Sequence, residues 1–95
     1  MIKVVAKSNV KHDKIEEVLK LAKELAEITV KEEGCIKYEM YQDENDETIL
    51  TMIEEWESRD ALNKHMESEH FKRIVPMMGA LREKSGEINI YKRVI

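Results

Sequence analysis

Cys35-Ile36-Lys37-Tyr38-Glu39-Met40-Tyr41-Gln42 and Thr48-Ile49-Leu50-Thr51-Met52-Ile53-Glu54-Glu55-Trp56 flank the polar stretch Asp43-Glu44-Asn45-Asp46-Glu47. Both flanks alternate with a period of two, which predicts strands. Ile36, Tyr38 and Met40 share one face of the first; Ile49, Thr51 and Ile53 stand opposite Leu50, Met52, Glu54 and Trp56 in the second. The Asn45-Asp46 pair inside the gap predicts a turn, so the two strands form an antiparallel hairpin.

Each side of this hairpin carries a helix and then a strand. Towards the N-terminus, Ile15, Val18, Leu19, Ala22, Leu25, Ala26 and Thr29 recur at helical spacing, and Leu21 and Ile28 widen the stripe. Asp13 followed by Glu16 reads as a capping box with Asp in place of Ser or Thr. Gly34 stands where a helix C-terminal glycine belongs. Met1 to Lys7 alternates Ile2, Val4 and Ala6 with Lys3, Val5 and Lys7, a strand pattern. Towards the C-terminus, Ser58 is a good N-cap for a helix that carries Ala61, Leu62, His65 and Met66. A second helical piece runs from about Ser68 to Arg82, with Phe71, Ile74, Val75, Met78 and Leu81 in register. Pro76 is expected to break or bend it. Gly86 to Val94 is the last strand. The order β-α-β-β-α-β is ferredoxin-like: an α+β domain with a four-stranded antiparallel sheet and helices on one face.

The 95 residues fit one domain, spanning 1–95. Hydrophobic residues make up 42% and charged residues 38%, too apolar for disorder and too charged for a membrane protein. The net charge of −4, with no basic stripe, excludes a typical nucleic-acid binder. One cysteine cannot form an internal disulfide, which fits a reducing compartment. No apolar run reaches membrane-spanning length and no secretory segment opens the chain, so a cytoplasmic location is expected. Residues 43–60 hold eight acids against one arginine. They read as a solvated hairpin and strand edge, since the glycine and terminal Glu of a calcium loop are missing.

Helices on one face leave the other face of the sheet bare. Val5, Tyr41, Leu50, Met52, Trp56, Tyr91 and Ile95 mix with Lys7, Lys37, Glu39 and Glu54 on the strands, and either assignment of faces leaves large apolar residues uncovered. Such a patch marks an interface. A second copy, sheet against sheet about a two-fold axis, is the expected partner.

His65 lies on the apolar stripe between Leu62 and Met66, and its spacing aims it inward. A histidine there is more often a satisfied core side chain than a catalyst. His70 precedes Phe71 at a helix junction. His65, Glu69 and His70 are near one another in sequence, but the junction breaks helical registry and no third ligand is placed, so no metal is expected. His12 reads as a solvated loop residue. Trp56 can stack on a flat ligand or anchor a core, and Tyr38, Tyr41 and Tyr91 share that ambiguity. Met40, Met52, Met66, Met77 and Met78 suit an adaptable apolar interior. Cys35 has no legible paired base. Ser-His-Asp, phosphate-loop and dinucleotide signatures are missing; three scattered glycines could not build the last two.

Glu32-Glu33-Gly34-Cys35-Ile36-Lys37-Tyr38-Glu39, Tyr41-Gln42-Asp43, Glu54-Glu55-Trp56, Ala61-Leu62, His65 and Ser68-Glu69-His70-Phe71 together resemble the antibiotic biosynthesis monooxygenase domain family. The resemblance covers nearly the whole chain. It implies a dimeric α/β barrel, two ferredoxin-like sheets packed face to face, with a pocket between each sheet and its helices. Several members oxidise polycyclic aromatics or quinols with molecular oxygen and no metal or flavin; the deprotonated substrate is itself the electron donor. Such chemistry needs a base or hydrogen-bond donor in a dry, aromatic-walled pocket. By resemblance, His65, His70 and Asn9 are the candidate catalytic residues. Trp56, Tyr38, Met66 and Phe71 are the candidate pocket residues.

The resemblance also covers other reactions. One branch isomerises a quorum-sensing sugar derivative, and Asn9-Val10-Lys11-His12-Asp13-Lys14 and Glu32-Glu33-Gly34 are similar to it. A haem-degrading branch uses an Asn, a Trp and a His; the Trp position falls here on His65 and the His position on Pro76, which argues against that reaction. The expected function is oxidation of a small aromatic or quinol-like substrate by molecular oxygen without a cofactor, in a cytoplasmic homodimer. An isomerase and a non-catalytic dimeric binding module are the alternatives.

Overall fold

The computed structural model describes residues 1–95. In chain order the elements are β1 (Ile2–Asn9), α1 (Ile15–Thr29), β2 (Cys35–Gln42), β3 (Ile49–Trp56), α2 (Arg59–Met66), α3 (Glu69–Gly79) and β4 (Glu87–Lys92). The four strands form one sheet in the order β2-β3-β1-β4, every neighbouring pair antiparallel. This is the expected ferredoxin-like α+β arrangement, with the second helical region split in two at Glu67-Ser68. No helix is long and apolar enough to cross a membrane.

The hairpin forms where the sequence places it. Asp43 Oδ2 accepts the backbone N–H groups of Asn45 and Asp46, each at 2.9 Å, and Asp46 Oδ1 accepts the Thr48 hydroxyl at 2.6 Å. These side chains satisfy turn amides that no strand can reach. The two sheet faces are now distinct. Val4, Leu50, Met52, Glu54 and Trp56 point to the helices, while Val5, Tyr41, Tyr91, Lys7, Lys37 and Glu39 lie on the bare face. The core joins Val4, Met52 and Trp56 to Ala22 and Leu25 of α1, Leu62 of α2 and Ile74 of α3. Burying each large apolar side chain contributes roughly 1.5–3 kcal/mol.

Four local expectations are corrected. Ile36 is 47% exposed rather than beside Tyr38, because a bulge between Cys35 and Lys37 shifts the register. Asp13 makes no cap: α1 starts at Ile15 after Lys14, with no side-chain cap bond. Gly34 lies beyond the C-terminus of α1, which ends at Thr29 with Val30 in a helical conformation; the glycine instead forms the turn into β2 with φ +88°. Pro76 does not break α3, which continues to Gly79. Ser58 and Ser68 cap α2 and α3, accepting from Ala61 N and Phe71 N.

Candidate active site

The helices pack mainly over β2 and β3 and leave the helix side of β4 open. Ile88 and Ile90 pair with Ala6 and Val4 and therefore share the inner face, yet they remain exposed. A cavity of about 140 Å³ lies inside this opening. Met52, Met66, Phe71, Val75 and Met78 give it an apolar wall, into which Tyr38, Glu54 and His65 bring polar groups.

The sharp α2–α3 junction sets the histidines. The Ser68 hydroxyl donates to the His65 carbonyl at 2.6 Å while accepting from Phe71 N, so one side chain ends α2 and starts α3. His65 then points inward and is buried, and His70 sits on the first turn of α3. The His65 ring lies 4.7 Å from Trp56, with Tyr38 at 5.2 Å and Phe71 at 5.1 Å edge-on. Glu32, from the segment between α1 and β2, closes the group. Its Oε2 is 2.6 Å from His65 Nδ1 and 2.7 Å from His70 Nε2.

This geometry fixes a tautomer. A carboxylate oxygen only accepts, so Nδ1 of His65 carries the proton that it donates to Glu32. The other ring nitrogen, Nε2, is buried and has no partner in the protein. Burial pushes the imidazole below the usual histidine range; the Glu32 carboxylate opposes that shift, and His70 adds to it. Neutral His65 therefore presents a bare lone pair at Nε2. An unpaired buried nitrogen costs about 1–3 kcal/mol, which a ligand hydroxyl would offset.

Glu54 is a further ionisable group on the cavity wall. Burial pushes its carboxyl up to about 7; its bond from Trp56 Nε1 at 2.9 Å opposes the rise, and Glu32 adds to it. Tyr38 is also pushed up by burial and then by Glu54 and Glu32, so it stays a neutral phenol. Burial, then Glu32 and Glu54, push the Cys35 thiol up to about 11, which makes it a poor nucleophile at neutral pH.

Of the residues singled out in the sequence, His65, Tyr38, Met66 and Phe71 line the cavity. Trp56 and His70 do not; Trp56 packs against the His65 ring and donates to Glu54, and His70 bonds to Glu32, the carboxylate partner of His65. Asn9 is away from the cavity, its Nδ2 donating to Thr48 Oγ1 at 3.4 Å. Glu69 pairs with Arg73, and Glu32 takes the place beside the two histidines. Glu32, His65 and His70 each offer one ligand atom, all within 4.8 Å, so these residues could hold a metal ion. As they stand, their own hydrogen bonds satisfy all three atoms. Glu54 was readable: it sits in the same alternate set as Leu50, Met52 and Trp56. Glu32 was not, being 33 residues from its partner His65.

A family model described as antibiotic biosynthesis monooxygenase matches residues 1–77. The chain belongs to the antibiotic biosynthesis monooxygenase family. A Bacillus subtilis relative, named "Putative monooxygenase YcnE", is 33% identical over 75 residues, covering 79% of each chain. An uncharacterised Synechocystis protein, sll1783, is 36% identical over 91 residues; the match covers 96% of this chain but only 62% of that protein's length. The crystal structure of a conserved protein from Methanosarcina mazei Go1 superposes with a TM-score of 0.96 at 47% identity, covering 98% of this chain and 92% of that one. The family is monooxygenase-like, and its fold is the one described above.

Proposed function

We propose that the chain is a cofactor-independent monooxygenase of a small aromatic or quinol-like substrate, working as a cytoplasmic homodimer. One observation carries this reading: His65, held at Nδ1 by Glu32, lines an apolar cavity, and its buried Nε2 has no partner in the protein. A substrate hydroxyl placed at Nε2 gives its proton to His65, and Glu32 stabilises the imidazolium that forms. The resulting electron-rich anion reduces oxygen directly. A quinol and O₂ then yield a hydroxyquinone and water, one oxygen atom in each product, with the His65 proton leaving in the water. Tyr38 and Phe71 wall the ring, and the methionines keep the site dry. His70 acts through Glu32 as a positioning residue.

Oxygen uptake with a panel of benzoquinols and naphthoquinols, corrected for the rate without protein, tests this. His65→Ala should lower the protein-dependent rate about 100-fold or more, the scale of lost general-base catalysis, and Glu32→Gln should lower it less. Uptake no faster than the background for every quinol, or unchanged in His65→Ala, would sink the reading. An isomerase is the second reading, favoured by a carboxyl near neutrality, Glu54, on the same wall as His65. It requires turnover without oxygen.

A further inference from the structure

Arg82 lines the mouth of the same cavity, between the end of α3 and the start of β4, and is half-buried. Two glycines make room for it. A Cβ added at Gly79 would come within 3.1 Å of one terminal guanidinium nitrogen, and a Cβ at Gly86 within 3.0 Å of the other. The Gly86 Cβ would also meet the Lys7 carbonyl oxygen at 3.1 Å. The guanidinium therefore lies in a slot that exists because neither residue has a side chain.

Of the four arginines, Arg59, Arg73 and Arg93 each hold an acceptor, at Asn63, at Glu24 and Glu69, and at the Ile95 carbonyl. Arg82 alone has neither a side-chain hydrogen bond nor an ion pair. A held, half-desolvated guanidinium with free donors is built for a planar oxyanion. In a chain of net charge −4, the long-range field disfavours anions, so an anionic ligand needs such a local partner.

We propose that Arg82 is the anion anchor of the cavity, and that the ligand is an elongated amphiphile: a proton-labile hydroxyl at His65, an apolar body, and a carboxylate or phosphate at Arg82. The spacing follows from the strands. His65 packs on Trp56, which pairs with Ile2, and beside Tyr38, opposite Glu54, which pairs with Val4. The Arg82 slot lies at Lys7, and the Arg82 backbone bridges to Val10. Three to five residues of β1 separate the two ends, roughly 10–16 Å at the rise of a strand.

This inference rests on reading the cavity as the ligand site, and its test needs no turnover. Calorimetry compares 3-(4-hydroxyphenyl)propanoate, its neutral primary amide and 2-(4-hydroxyphenyl)ethyl phosphate. At least one acid should bind about ten-fold or more tightly than the amide, the scale of a charge-assisted contact. Arg82→Met keeps the stem and should bring the ratio to about one with amide affinity unchanged. Gly86→Ala, which crowds the slot, should lower the ratio as well. The acid that binds tighter identifies carboxylate or phosphate as the natural tail. Equal binding of acids and amide, no binding by any probe, or a ratio unchanged in Arg82→Met overturns the proposal. Such a failure leaves the oxygen chemistry standing. If the acid preference holds while His65→Ala still oxidises quinols at the full rate, only the catalytic reading falls.

Discussion

Glu54 places a carboxyl group within the apolar layer of the sheet, with only the Trp56 N–H as a fixed partner. In the unfolded chain this group loses its proton near the ordinary value of 4.5; in the folded protein it does so near 7. Between those values the folded state holds a proton that the unfolded state lacks, so stability falls as pH rises across that window. His65 acts in the opposite direction. Its folded form resists protonation, so stability is lost as pH falls below the ordinary value of 6.5. Glu54→Gln separates the two effects, because the amide keeps an acceptor for Trp56 and removes the titration. The variant should unfold at nearly the same urea concentration as the wild type at pH 4. By pH 8 it should be more stable by on the order of 3 kcal/mol, the free energy of raising the carboxyl from 4.5 to about 7. A gap independent of pH would show that Glu54 is not a buried acid.

The turn at Gly34 joins α1 to β2 and carries the start of α2 on its back. Its φ of +88° is open to glycine at little cost, and an added Cβ would lie 2.5 Å from the Ala61 Cβ of α2. Its carbonyl accepts Glu57 N at 2.8 Å, which fixes the entrance to that helix. Gly34→Ala should therefore cost about 2–3 kcal/mol, part backbone strain and part contact. Adding Ala61→Gly should recover only the contact share in urea unfolding. Element types were legible because periodicity reports burial, and burial is what each element needs. Element ends were less so. The Asp13–Glu16 spacing offers a cap that the chain does not use, and α3 runs through Pro76 because Ile74 and Met78 pack its face against the core. The bulge at Ile36 lies in the pairing with β3, which no local pattern records. The site divides in the same way. His65 could be read from its own stripe, whereas Glu32 meets it only after the α1–β2 segment and the α2–α3 junction converge.

At the scale of the molecule, the bare sheet face remains unexplained by a single copy. Val5 and Ile53 pair across the two central strands, and Tyr41 and Tyr91 flank them on the edge strands, both about half exposed. Lys3, Lys7, Lys37 and Glu39 are interspersed among them. Three strands of eight residues and one of six present at most roughly 19 by 26 Å, of the same order as the ~800 Å² per partner of a stable interface. A two-fold axis lying in the plane between two such faces sets one against the other and buries the apolar centre. Light scattering should then give twice the chain's 11.2 kDa. Ile53→Lys puts a charge at the centre of that contact and should give monomers with an unchanged helical spectrum. Its effect on the proposed quinol oxidation reports whether the sheet must be backed by a partner for the cavity on its other side to keep its shape. A mass of 11.2 kDa for the wild type, held across a dilution series from the millimolar range, would overturn the self-association.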